Sequence, residues 1–343
     1  MRVVAAGAAA GWPPEGIAAA LVETDGRAIF ALGEGFARGW SEPELARIGQ
    51  PGQGEGPGAA RDETVEMALG MVLDGLDGWS VAGLLAPAGT APSGAVLAEA
   101  LGRDVVWNFD AADRAMGGLG GAEDAFFHHA LLRCLGIAAP SVVLDLGAVA
   151  RLTWADPRIT DPAAPGACLA FDAGPGVLAE DAELAGAGSL PEGRIEAALD
   201  LPFFARMPPR RYQPLAELAA LTADLSPEDA AATAAAIAAA GVVQALDLCP
   251  EPPAVVLVCG PGRRHDPALR MIAAGATLPV RRFEELELDG DLTRAQAAAY
   301  CAARALAGLP GSAPGTTGVA APVGGAEVAR PSRVAKIPPI FEQ

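Results

Sequence analysis

Two short apolar runs, MRVVAAG at residues 1–7 and SVVLDL at 141–146, open the same succession of elements in the two halves of the chain. In the first half, strand-type runs at 3–4, 19–23 and 28–32 follow one another closely. A turn at Thr24-Asp25-Gly26 joins the last two. A helical pattern over 62–76 leads to strand-type runs at 81–85 and 104–108, with a helix over 95–101 between them and another over 125–135. In the second half, strands at 149–154 and 168–172 follow SVVLDL. Helices come next, among them 227–246, and then the buried-type strand AVVLVC at 254–259. Short turns make antiparallel neighbours and helical crossovers make parallel ones, so each half predicts a mixed sheet. Periodicity alone supports two α/β lobes, and a doubly wound parallel fold meets it nearly as well. A long alanine-rich helix is predicted over 292–306, with the Pro- and Gly-rich stretch beyond Gly308 wrapping the surface.

The 343 residues exceed what one hydrophobic core usually spans, so two domains are expected. Alanine supplies much of the apolar content; each side chain buries little, and helices must pack closely. The net charge of −18 repels nucleic acid and anionic membrane. It does not attract a phosphorylated ligand either. An anion site must therefore be local, built from backbone N–H groups, a helix N-terminus or a bound cation. Cys134, Cys168, Cys249, Cys259 and Cys301 form no C-x-x-C pair, and with His128, His129 and His265 they offer no zinc-ligand spacing. They read as small buried residues in a reducing, cytoplasmic compartment. His128 and His129 are neighbours on a helix and point to different faces, as core or solvated residues do. Trp40, Trp79 and Trp107 read as packing residues. The apolar stretch 230–246 is interrupted by Thr233 and Gln244 and reads as a buried core helix, not a membrane span. The N-terminal apolar run breaks at Trp12-Pro13-Pro14 and reads as a strand, not a signal peptide.

Five segments carry the chemistry. Phe171-Asp172-Ala173-Gly174-Pro175-Gly176 places an aspartate where the strand at 168–172 ends in a Gly-Pro-Gly turn. Residues 145–153 (DLGAVARLT) form a hairpin around Gly147, and 258–265 (VCGPGRRH) form a glycine turn between a buried strand and a helix. Residues 113–120 (DRAMGGLG) and 316–325 (TTGVAAPVGG) complete the set. In this order, over nearly the whole chain, the segments resemble the anhydro-N-acetylmuramic acid kinase family.

That resemblance implies an α/β fold of duplicated actin-like ATPase and sugar-kinase lobes, ribonuclease H-like, around a central cleft. It implies a first lobe over 1–135 completed by 290–330, a second over 136–289, and a tail over 331–343. The implied activity is ATP-dependent hydrolytic phosphorylation of 1,6-anhydro-N-acetylmuramic acid to N-acetylmuramic acid 6-phosphate, in peptidoglycan recycling. ATP and Mg2+ are the implied cofactors, and a sugar and a nucleotide the implied partners; relatives of this kind suggest a homodimer. Asp172 matches the family's general base. Gly11, Glu15, Gly16, Gly147, Gly260 and Gly262 fall at nucleotide-side positions, and Gly117, Gly118, Gly174, Pro175 and Gly176 at sugar-side positions. No direct metal ligand is implied, only Glu15 acting through water.

Several positions depart from the family pattern. Its Met-Ser-Gly-Thr-Ser-x-Asp-Gly loop corresponds to residues 9–16 here, where Pro13 and Pro14 remove two N–H donors and Trp12 adds bulk. Its His-Gly-Gln-Thr segment appears as Leu85-Ala86-Pro87-Ala88-Gly89-Thr90. Leu119 replaces a glutamine, His265 an asparagine and Arg294 a glutamate. Pro-Pro-Lys-Ser appears as Pro208-Pro209-Arg210-Arg211, in which Arg210 retains the positive charge. These losses motivate a second reading: a catalytically impaired pseudokinase that binds a sugar, a nucleotide or a protein partner. The stretch 49–58 (GQPGQGEGPG) reads as a flexible connection.

Overall fold

The computed structural model describes residues 1–11, 15–48, 58–87, 90 and 92–332. Trp12, Pro13, Pro14, most of the 49–58 stretch, and residues 88, 89, 91 and 333–343 lie outside the described residues. The strands are β1 (Val3–Ala10), β2 (Ile17–Thr24), β3 (Ile29–Arg38), β4 (Val81–Leu85), β5 (Asp104–Trp107), β6 (Ser141–Leu146), β7 (Val149–Ala155), β8 (Cys168–Pro175), β9 (Val256–Cys259), β10 (Val280–Arg282) and β11 (Glu327–Ala329). One sheet runs β11-β5-β4-β1-β2-β3 and the other β10-β9-β6-β7-β8.

Counted within each half, and with β11 set aside, both sheets have the strand order 5-4-1-2-3. In both, strands 1, 2 and 3 are antiparallel neighbours. Strand 4 runs parallel to strand 1 and strand 5 parallel to strand 4. The cause is local: the β6–β7 link is only Gly147-Ala148, too short for anything but a hairpin. The same pairing twice over is the duplicated, ribonuclease H-like architecture of actin-like ATPases and sugar kinases. It excludes the all-parallel alternative.

The helices used below are α1 (Ala125–Cys134), α2 (Pro227–Leu246), α3 (Asp266–Ala276), α4 (Thr293–Leu306) and α5 (Pro314–Thr317). Helix α4 lies across β1 and β4 with an alanine face, Ala295, Ala298, Ala299 and Ala302 all being buried. The close packing that alanine content predicts reaches backbone contact here. A Cβ on Gly7 would sit 1.8 Å from the Ala295 carbonyl oxygen, and one on Gly83 2.0 Å from that of Ala298. Helix α2 covers the second sheet. Ser226 caps it by accepting a hydrogen bond from the Asp229 N–H at 3.1 Å, with Pro227 at the first helical position. By length and composition α2 could cross a membrane, yet Ala235, Ala238, Ala239, Val242 and Ala245 are buried in the second core. It is the core helix the sequence predicts.

Two expectations fail in whole or in part. The segment after Gly308 wraps the surface only from residue 320 to 332, which is exposed or half-buried; before that, Ala313, Thr316 and Thr317 are buried and 314–317 form α5, and β11 extends the first sheet antiparallel to β5. Its proline and glycine serve tight turns whose polar groups are bonded internally. Cys134 is exposed, whereas Cys168, Cys259 and Cys301 are buried. The histidines are core residues. His128 Nδ1 lies 3.0 Å from Thr153 Oγ1, and His129 Nε2 lies 2.9 Å from the Ile159 carbonyl oxygen.

Candidate functional site

The turn after β1, the β6–β7 hairpin, the turn after β9 and the start of α4 converge on one cleft of about 500 Å3. Gly11, Glu15, Gly16, Gly147 and Gly260 all line it, together with Asp145, Arg151 and Arg294. Gly262 does not. It is buried behind the turn, against the carbonyl oxygens of Val177 and Leu146. Gly11 N donates to Gly16 O at 3.0 Å and holds the end of β1 against the start of β2. Trp40 Nε1 donates to Gly11 O at 3.0 Å, so a residue read as mere packing also braces the cleft.

Gly260 has φ +76°, and a Cβ there would lie 2.2 Å from Asp145 Oδ1. Glycine is required on both counts. Burial raises the pKa of Asp145 to about 6; Asp124 adds to the rise, and Arg294 and Arg151 oppose it. The two altered positions of the phosphate end answer each other: Arg294 Nη1 donates to Glu15 Oε2 at 3.4 Å. Among the described residues, no group of three or more His, Cys, Asp or Glu could hold a metal ion. The carboxylates that line the cleft are Glu15, paired with Arg294, Asp145, which lies against Gly260, and Asp291, paired with Arg263 and Arg264.

Asp172 is buried on β8, and the strand register sets Arg151 of β7 opposite it. Arg151 Nε donates to Asp172 Oδ1 at 3.2 Å, and Tyr212 N donates to Oδ2 at 2.8 Å. Burial works against the Arg151 charge, but Asp124, Asp172 and Asp145 outweigh it and raise its pKa. Arg151 therefore lines the cleft at one end and holds Asp172 at the other. The backbone of Asp172 is paired as well: its N–H donates to Arg210 O at 3.0 Å, and Arg210 Nε donates to its carbonyl at 3.1 Å. Arg210, expected to present a charge, is buried instead. Its Nη1 donates to the carbonyls of Phe203, Phe204 and Arg206, and its guanidinium lies 4.7 Å from the Phe203 ring centroid.

The sugar-side segments also meet. Asp113 Oδ1 accepts from Ser312 Oγ and Thr317 Oγ1, both at 2.6 Å, and Oδ2 accepts from Gly120 N at 2.9 Å. Leu119 N donates to Thr317 O at 2.9 Å. Gly117 faces open space, and Gly118 packs on the Asp113 carboxylate. Gly174 lies against Phe204, Pro175 pairs with Val149, and Gly176 N donates to Ala148 O at 3.0 Å. That turn thus locks onto the β6–β7 hairpin. Sequence reasoning missed Asp113, Arg151, Arg211 and Tyr212 as members of the site. For Arg151, a charged residue in an otherwise apolar strand was the available signal.

A family model described as anhydro-N-acetylmuramic acid kinase matches residues 91–327, more than half of the chain. This chain belongs to the anhydro-N-acetylmuramic acid kinase family. An anhydro-N-acetylmuramic acid kinase of Ruegeria sp. (strain TM1040) is 39% identical over 96% of this chain and 95% of its own. One of Cereibacter sphaeroides is 41% identical, covering 98% of each. Among solved structures, component A of the (R)-2-hydroxyglutaryl-CoA dehydratase of Acidaminococcus fermentans covers 89% of this chain and 99% of its own, at 12% identity and a TM-score of 0.46.

The family's asparagine is His265 here, and it still caps a helix. His265 Nδ1 accepts from Ala268 N at 3.2 Å at the start of α3. Burial pushes its pKa below 6.5, against the pull of Asp181 and Asp266, so the folded chain holds the ring neutral. The unfolded chain takes up the proton first as pH falls. The stability tied to His265 is therefore full above pH 6.5 and is lost as pH drops below it. Asparagine caps without titrating. Melting temperatures of the parent and His265→Asn, compared from pH 8 to pH 5, should show the parent losing ground below about 6.5. A constant difference across that range would remove the histidine from the account.

Proposed function

We propose that this kinase-family chain opens 1,6-anhydro-N-acetylmuramic acid with water and phosphorylates it from ATP, giving N-acetylmuramic acid 6-phosphate and ADP in cytoplasmic cell-wall recycling. The observation that carries the reading is Arg151, which lines the cleft and holds the Asp172 carboxylate. One side chain thereby sets the base at the end of the cleft that would hold nucleotide. Asp172 takes a proton from water as the water oxygen bonds to the anomeric carbon. The bond from that carbon to O6 breaks, O6 bonds to the γ-phosphorus, and ADP leaves. Gly11, Gly16 and Gly147, which line the cleft without side chains, would let the phosphates approach the backbone, and Arg294 with the first turn of α4 would supply positive charge locally. Mg2+, when present, would ride on the nucleotide phosphates and neutralise their charge. Gly117, Gly118 and Gly174 would shape the sugar side.

The Glu15–Arg294 pair favours a second reading, in which the phosphate end holds nucleotide without transferring it. ADP release from purified protein given ATP and 1,6-anhydro-N-acetylmuramic acid separates the two. Release that requires the sugar supports the kinase. Nucleotide binding with no release at any sugar concentration overturns it in favour of the binding protein.

A further inference from the structure

The strap over 210–212 makes two sets of contacts that neither its residue types nor the steps above require. On one side it holds Asp172, through Arg210 O accepting from Asp172 N, Arg210 Nε donating to the Asp172 carbonyl and Tyr212 N donating to Oδ2. On the other side Arg211, the residue between them, reaches the sugar-side segments. Its Nε donates to Gly120 O at 2.9 Å and its Nη2 to Thr316 O at 3.0 Å. Those two carbonyls belong to the segments that Asp113 ties together through Gly120, Ser312 and Thr317. The guanidinium fork spans both carbonyls at once, which a single ammonium cannot do in the same geometry. Its own position is fixed by the third bond, Nη1 to Arg210 O at 3.3 Å.

We propose that Arg211 is a positioning residue that couples the Asp172 carboxylate to the two segments forming the sugar side, so that the base is aligned only when those segments are seated. The inference rests on the kinase reading for the identity of the sugar, but the coupling itself is a property of the strap. Asp172 is fixed by the main chain on either side of Arg211. A shift of that side chain is carried to Oδ2 through Tyr212 N, over one peptide unit. Misplacing a base by about 1 Å costs rate on the order of 100-fold.

The test uses the full-length protein with Arg211→Met, which keeps the stem and removes the donors, and Arg211→Lys, which keeps the charge and removes the fork. Two readouts are taken: steady-state kinetics with ATP and the anhydrosugar, and amide hydrogen exchange. For Arg211→Met we expect kcat to fall about 100-fold and the sugar KM to rise, with the ATP KM unchanged. Arg211→Lys should fall between Met and the parent. Exchange should quicken both at 117–121 and at 168–176, and nowhere on the β9 side. A general loss of folding would instead quicken exchange everywhere and weaken nucleotide binding. Parent-like kcat and sugar KM in Arg211→Met overturn the proposal, as does faster exchange at 117–121 with none at 168–176. If the methionine variant does not fold, the lysine variant decides by the same criteria. An inactive parent in which the methionine substitution still loosens both segments would defeat the kinase reading and leave the coupling standing.

Discussion

Asp172→Asn should lose sugar-dependent ADP release by a factor of about 100 to 10,000, the usual contribution of a positioned general base. It should still bind ADP. The substitution is nearly isosteric and keeps an acceptor oxygen for Tyr212 N, which now donates at 2.8 Å. It cannot take a proton from water. It also removes one of the charges that offset the burial of Arg151, but Asp124 and Asp145 remain to balance it. The loss should therefore appear in kcat with little change in nucleotide affinity. ADP release measured beside ADP binding by calorimetry checks both halves. Near-parental turnover would move the base elsewhere. Loss of ADP binding would show that Arg151 cannot stay in the cleft without its partner, and that the effect was never about proton transfer.

Gly83→Ala should be strongly destabilising. Its Cβ would meet the carbonyl oxygen of Ala298 at 2.0 Å and the carbonyl carbon at 2.6 Å. Both are helix backbone, so no rotamer relieves the contact, and α4 must lift. Lifting α4 at β4 also opens its seat on β1, where Gly7 meets Ala295 O. Overpacking of this kind costs about 3 kcal/mol. That is a large part of the roughly 5–15 kcal/mol that holds a domain together. Gly39→Ala is the control: nothing lies within 4 Å of the added carbon. Urea midpoints for the two variants should differ clearly, with Gly39→Ala close to the parent. Equal midpoints would mean that α4 is not seated on the sheet.

Sequence made the long apolar strands and α2 legible because their burial is written in residue type. It could not show β10 and β11, three residues each and partly exposed, because such edges carry no apolar pattern. In the site, glycines were legible where the chain turns sharply, as at Gly147 and Gly260. Gly262 was misplaced because a glycine needed for packing behind a turn looks the same as one needed in front of it. The arginines were the least legible. Arg210 and Arg211 are neighbours of one residue type, yet one faces buried carbonyls beneath Asp172 and the other bridges two distant loops. Arg151 opposite Asp172 required the β7–β8 register, which follows from a bulge between Ala150 and Arg151 that residue types do not announce. The altered residues Trp12, Pro13 and Pro14 lie outside the described residues.

The two sheets, alike in pairing, differ in how their parts are spaced along the chain. Every strand of the second lies between Ser141 and Arg282, and α2 and α3, which cover one face of it, fall within the same stretch. The first sheet begins at Val3 but has the cover of one face, α4, only at Thr293 and its last strand at Glu327. On the ribosome, the strands that emerge first must wait for the last ones to be made. Their groove at Gly7 and Gly83 stays open until then. Biosynthesis runs from the first lobe to the second, while completion runs from the second to the first.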